Sequence, residues 1–291
     1  MFTIDAKCYA DCLCELAEGP VWDERKQRLL WVDIKRNQVL TREDSDTRIL
    51  CNLAQNIGCM ALRRNGGMIL GLTSGIYLLD PDGKYERLEV PELSPRVRFN
   101  DGKCDPQGRF WAGTIHLFPE ESGIAALYCV LPDGRIRRVL DGVSNSNGLA
   151  FADGGQTLYY IDTPTRRVDA FDVETGGDGF PILKNRRTVI RVPDDMGYPD
   201  GMTIDADGKL WIAHWGIGQV VCWDPRRGEA LGLARVPVQA VSSCCFGGED
   251  MKTLFITTAR EDMAASEAER AGNIYSARLD VSGADSYRFM G

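Results

Sequence analysis

Five oxygen-bearing side chains in this chain, Glu18, Asn100, Asp101, Asn147 and Asp200, stand one or two residues before a glycine that opens a β-rich run. Carboxylates gathered away from water repel one another unless a cation or protons neutralise them. An all-oxygen donor set suits a hard divalent ion such as Ca²⁺, Mg²⁺ or Mn²⁺ better than the His/Cys sets usual for Zn²⁺. A bound cation polarises a carbonyl, and a carboxylate beside it takes a proton from water, so the chemistry in view is metal-assisted hydrolysis. A polar residue before glycine is also ordinary turn chemistry, because Asn and Asp hydrogen-bond locally. Glu18 is the position turn chemistry explains least, since Glu is a poor turn residue.

These residues are far apart in sequence, so the fold must bring them together. Their spacing follows a repeat. Six β-rich runs carry the markers Trp31, Leu70, Trp111, Tyr160, Trp211 and Phe255 at intervals of roughly 39 to 51 residues, within or just above the range of propeller blades. Turn signals precede most of them, as in Asp105-Pro106-Gln107-Gly108 and Asp205-Ala206-Asp207-Gly208, and Gly, Asn and Asp there supply the positive φ angles of tight hairpins. A third strand and a short fourth follow in most repeats. The pattern predicts an all-β, six-bladed β-propeller of four antiparallel strands per blade around a central channel, forming a single domain over residues 1–291.

In a propeller the first strand of each blade lines the channel. The six equivalent openings are Glu18-Gly19, Ile57-Gly58, Asn100-Asp101-Gly102, Asn147-Gly148, Asp200-Gly201 and Ser243-Cys244-Cys245. The oxygen donors are therefore expected to converge at one mouth, with one of Cys244 and Cys245 lining the channel. The segment Ala6 to Glu15 is expected to close the ring as an outer strand of the last blade, and Glu261 to Arg270 is the one convincing helix candidate.

Composition narrows the class. The chain is 44% hydrophobic and 26% charged with a net charge of −8, which argues against a nucleic-acid partner. No run approaches the roughly 20 apolar residues of a membrane span and no cationic, apolar leader opens the chain, so no membrane partner and a cytoplasmic location are expected. Ten cysteines include no C-x-x-C pair, and small buried free thiols are the expectation. With two histidines, His116 and His214, and no G-x-S-x-G elbow, a serine-hydrolase triad finds no support. His116 reads as a loop histidine, with a substrate contact as the alternative, and His214 as packing.

The motifs Glu18-Gly19-Pro20-Val21-Trp22, Arg98-Phe99-Asn100-Asp101-Gly102-Lys103, Ser146-Asn147-Gly148-Leu149, Pro199-Asp200-Gly201-Met202 and Ser243-Cys244-Cys245-Phe246-Gly247-Gly248 resemble those of the senescence-marker-protein/gluconolactonase/luciferin-regenerating family. The resemblance runs from about Glu15 to Arg260 and takes in the strand Ala271-Gly272-Asn273-Ile274-Tyr275. It implies one divalent ion (Ca, Zn, Mn, Mg or Fe) held by Glu18, Asn147 and Asp200, and substrate contacts from Arg98, Asn100 and Glu121. It implies a lactonase that hydrolyses a sugar (aldono-) lactone such as glucono-, xylono- or arabinonolactone, with Asp200 as general base. The alternatives are a metal-dependent esterase or organophosphate hydrolase, and a calcium-binding protein without catalysis. A monomer or weak homo-oligomer is expected.

Overall fold

The computed structural model describes residues 1–261 and 265–291. It is a six-bladed β-propeller, and the described residues contain only short 3-10 turns besides strands. Blade 1 is built from Ala17–Asp23, Arg28–Asp33, Gln38–Glu43 and Asp46–Asn52, and blade 2 from Ile57–Leu62, Met68–Leu72, Gly75–Leu79 and Tyr85–Leu88. Blade 3 uses Val97–Cys104, Phe110–His116, Ala125–Val130 and Ile136–Val143, and blade 4 uses Ser146–Ala152, Thr157–Asp162, Arg167–Thr175 and Pro181–Arg191. Blade 5 uses Tyr198–Ile204, Leu210–Trp215, Gln219–Asp224 and Glu229–Arg235, and blade 6 uses Val241–Gly247, Thr253–Thr258 and Ile274–Arg278.

The N-terminus supplies what blade 6 lacks. Lys7–Ala10 pairs antiparallel with Ile274–Arg278 as its fourth strand, as the sequence predicted. A second pairing was not foreseen: Phe2–Asp5 runs parallel to Glu229–Arg235 and adds a fifth strand to blade 5. The expected helix over Glu261 to Arg270 is not formed among the described residues. Ala265–Glu267 makes a 3-10 turn, while residues 262–264 lie outside the described residues. The Glu267 carbonyl accepts from the Arg270 and Ala271 N–H groups at 2.8 Å each, and its carboxylate accepts from the Gln239 backbone N–H at 3.3 Å.

In blades 3 and 5 a turn carboxylate ties the hairpin to the tryptophan marker that follows it. Asp105 Oδ1 accepts from the Gln107 and Arg109 N–H groups at 3.0 Å each, while Oδ2 accepts from the Trp111 indole at 2.8 Å. Asp205 does the same for Asp207, Lys209 and Trp211, at 3.0, 2.8 and 2.9 Å. One carboxylate thus closes the turn and satisfies an indole N–H that burial would otherwise leave unpaired. Trp31, Trp111 and Trp211 are completely buried, as the repeat required of core markers.

The chain forms two compact units, Met1–Asn56 with Val189–Asp285, and Ile57–Thr188 with Ser286–Gly291. In the first, the opening strands of blades 5, 6 and 1 pack side by side in that order; in the second, those of blades 2, 3 and 4 do. The C-terminal tail belongs to the second unit, where Phe289 is fully buried and its backbone bonds to Leu62 and Arg64 at 2.9 Å.

Candidate active site

All six opening strands break register against their neighbour at the same place: after Glu18, Ile57, Phe99, Asn147, Pro199 and Val241. Such irregularities release residues from the ladder and re-aim their side chains. Here they fall on, or one residue before, the positions that carry Glu18, Asn100, Asp101, Asn147 and Asp200. The neighbouring glycines are needed for close approach. A Cβ on Gly201 would overlap the side chain of Ser243, and one on Gly58 would overlap the Phe99 carbonyl.

In the first unit Glu18 and Asp200 open strands that flank the blade 6 strand Val241–Gly247. Both carboxylates are buried. Glu18 Oε2 accepts from the Gly19 N–H at 2.7 Å, and Ser242 Oγ donates to the Ala17 carbonyl at 2.6 Å, fixing this row. Cys244 Sγ donates to the Trp211 carbonyl at 3.3 Å, and Cys245 packs against the cluster containing Trp22 and Phe255.

In the second unit Arg98, Asn100 and Asn147 form one network. Asn100 Nδ2 donates to Asn147 Oδ1, Asn145 Oδ1 and the Ser146 carbonyl, each at 3.0 Å, and Asn100 Oδ1 accepts from Arg98 Nη1 at 2.8 Å. Asn147 Nδ2 donates to Thr163 Oγ1 at 2.8 Å; the donor-only Arg98 and the acceptor-only Ser146 carbonyl fix the Asn100 amide, and through it which end of the Asn147 amide is oxygen. Asn145 and Thr163 belong to this network and are not among the candidates read from the sequence. Asn145 had a signal, lying two residues before Asn147, whereas Thr163 is placed only by the hairpin. Asp101 is buried beside them, and burial pushes its carboxyl above the usual carboxylate range against the pull of Lys103 and the Gly102 N–H.

Glu121 sits in the 3-10 turn Pro119–Glu121, and its Oε1 pairs with Arg96. Its Oε2 is buried with no hydrogen-bond partner, as is Nδ1 of His116 at the end of Phe110–His116. Among the described residues no three His, Cys, Asp or Glu side chains gather as a metal-holding group. The first unit thus holds two buried carboxylates, Glu18 and Asp200, and the second the buried Asn147 amide, all oxygen donors of the kind a hard divalent ion takes.

The model of the SMP-30/gluconolactonase/LRE-like region matches residues 16–260. The chain belongs to this family. Regucalcin of Danio rerio is 37% identical over the whole of both chains, and YvrE of Bacillus subtilis, named provisionally as a sugar lactone lactonase, is 36% identical over 99% of each. The solved structure of XC5397 from Xanthomonas campestris, described as a gluconolactonase, superposes with a TM-score of 0.75 at 27% identity, covering 94% of this chain and 88% of that one.

In this SMP-30/gluconolactonase/LRE-like chain His214 is structural, as its sequence setting suggested. It pairs with Pro199, next to Asp200, and is fully buried. Its Nδ1–H donates to the Met196 carbonyl at 2.6 Å and its Nε2 accepts from the Trp223 indole at 3.2 Å. Only the neutral ring satisfies both partners. Burial accordingly pushes its pKa down from 6.5 to about 4. The unfolded chain therefore takes up a proton that the folded chain refuses: the stabilisation is complete above about pH 6.5 and is lost as pH falls from there through about 4. Denaturant titrations are expected to show a loss of roughly 3 kcal/mol across this window, with a shallower loss in His214→Gln. Equal slopes in the two proteins would exclude His214 as the cause.

Proposed function

We propose that the protein is a metal-dependent lactonase that hydrolyses a sugar (aldono-) lactone to the aldonic acid. Glu18, Asn147 and Asp200 hold one divalent cation in this reading. The observation that carries it is the register break in every opening strand, which recurs where the oxygen donors stand. When bound, the cation withdraws electron density from the lactone carbonyl. Asp200 accepts a proton from the attacking water. Arg98, Asn100 and Glu121 bind the sugar hydroxyls, which need both donors and acceptors. The partnerless Oε2 of Glu121 supports an acceptor role, and the Arg98–Asn100 pair supports a preset donor arrangement. The gluconolactonase relative and the lactonase-named relative support the choice of a cyclic sugar ester, and the regucalcin name supports calcium among the candidate ions.

The test is a pH-stat assay of purified protein against glucono-, xylono-, arabinono- and galactonolactone, with aryl esters and an organophosphate as controls. Saturable hydrolysis of at least one lactone, well above the controls, is expected. Turnover of the controls alone would replace the lactone reading with the esterase one. Asn100→Ala removes a substrate contact and the donor that steadies Asn147, so KM is expected to rise about tenfold while kcat at saturating metal stays within a few-fold. A collapse of kcat with normal KM would move Asn100 into the catalytic set.

A further inference from the structure

Cys12 and Cys14 lie in the segment between Lys7–Ala10 and Ala17–Asp23, and the hydrolytic reading gives them no task. Leu13 between them has a left-handed φ of 46°, a conformation that an L-residue rarely adopts. The bend is held from outside. Asn273 Oδ1 accepts from the Cys12 and Leu13 N–H groups at 3.0 and 2.9 Å, and the Cys14 N–H donates to the Gly272 carbonyl at 2.8 Å. Gly272 has a φ of 79°, and a Cβ there would overlap the Cys14 backbone. The consequence is that both sulfurs emerge on one side, 3.5 Å apart, with the Cys14 thiol donating to Cys12 Sγ. Cys12 is half-buried and within reach of a small reagent; Cys14 is buried behind it.

We propose that Cys12 and Cys14 form a dithiol that a small hydroperoxide oxidises to an intrachain disulfide. The sulfur of Cys12 attacks one oxygen of hydrogen peroxide and breaks the O–O bond, giving a sulfenic acid and releasing hydroxide, which takes up the thiol proton as water. Cys14 sulfur then attacks Cys12 sulfur, loses its own proton, and expels the sulfenic oxygen as a second water. Two thiols lose two electrons and one peroxide is reduced. The sulfurs need to close only from 3.5 Å to a bond of about 2.05 Å. The roles are asymmetric: the hydrogen bond from Cys14 holds the Cys12 thiol below its usual range, while the same bond and burial push Cys14 up. Cys8, Cys51, Cys104, Cys129 and Cys222 are all pushed up by burial, which leaves them poor thiolates.

The experiment is peroxide titration of the whole protein, followed by alkylation, digestion and mass spectrometry. Chymotryptic cleavage after Tyr9 separates Cys8 from the pair. At about stoichiometric peroxide, the peptide with Cys12 and Cys14 is expected to lose two hydrogens and resist alkylation until dithiothreitol is added. In Cys14→Ser the reaction is expected to stop at Cys12, where dimedone traps the sulfenic acid; in Cys12→Ser, Cys14 is expected to stay unmodified. Full alkylation of both residues under peroxide that oxidises other cysteines would overturn the proposal. So would a persistent Cys12 sulfenic acid in the unmutated protein. The wild-type mapping decides the matter even where a serine variant folds poorly.

Discussion

Asp200→Asn, saturated with metal, is expected to lose at least about 10²-fold in kcat, the lower end for removal of a general base. The carboxylate is buried at the opening of Tyr198–Ile204, and the following Gly201 packs so tightly on Ser243 that the strand leaves it little freedom. An asparagine fits the same space and keeps an oxygen for the cation. It cannot accept a proton. A role limited to holding metal therefore predicts rescue by excess cation, whereas a role as ligand and base predicts restored binding with kcat still low. Isothermal titration with the metal, paired with steady-state kinetics at saturation, separates the two. Near wild-type kcat in the metal-saturated variant removes Asp200 as the base and leaves it a ligand.

The propeller is legible in the sequence because its hairpins use residues that few other settings favour. Asp105 and Asp205, each with a glycine three residues on, mark turns whose carboxylates also anchor the buried tryptophans, so turn signal and core signal repeat in phase. The antiparallel closing strand Lys7–Ala10 is readable from its place before blade 1. The parallel pairing of Phe2–Asp5 with Glu229–Arg235 is not, because a four-residue edge strand carries no mark of its direction or its distant partner. Nor does the sequence announce that Phe289 fills the second unit, since an isolated aromatic near a terminus has no period to follow.

For the site, polar residues beside glycine were readable, but the reason for the glycines was not. At Gly58 the Phe99 backbone, and at Gly201 the Ser243 side chain, approach too closely for a Cβ, and the strand slips register there, a property of strand packing rather than of local turn chemistry. The network that orients Asn147 was equally hidden. Its members Asn100, Asn145 and Thr163 come from different strands and turns, and only their folded positions show that one amide is held from both ends. A loop sequence cannot reveal that one oxygen of Glu121 pairs with Arg96.

The largest effect expected is on removal of the metal. In the proposed reading Glu18, Asp200 and Asn147, each buried, hold the cation that stabilises charge on the lactone carbonyl. Glu18→Gln is expected to weaken cation binding while the melting curve keeps its shape, because the amide fills the same volume without the charge. The direct measurement is the lactone assay on protein stripped by chelator, verified metal-free by elemental analysis, and then titrated with Ca²⁺, Mg²⁺, Mn²⁺ and Zn²⁺ one at a time. Hydrolysis falling to the uncatalysed rate and returning with at least one ion is the predicted result; full activity in the metal-free protein would contradict it.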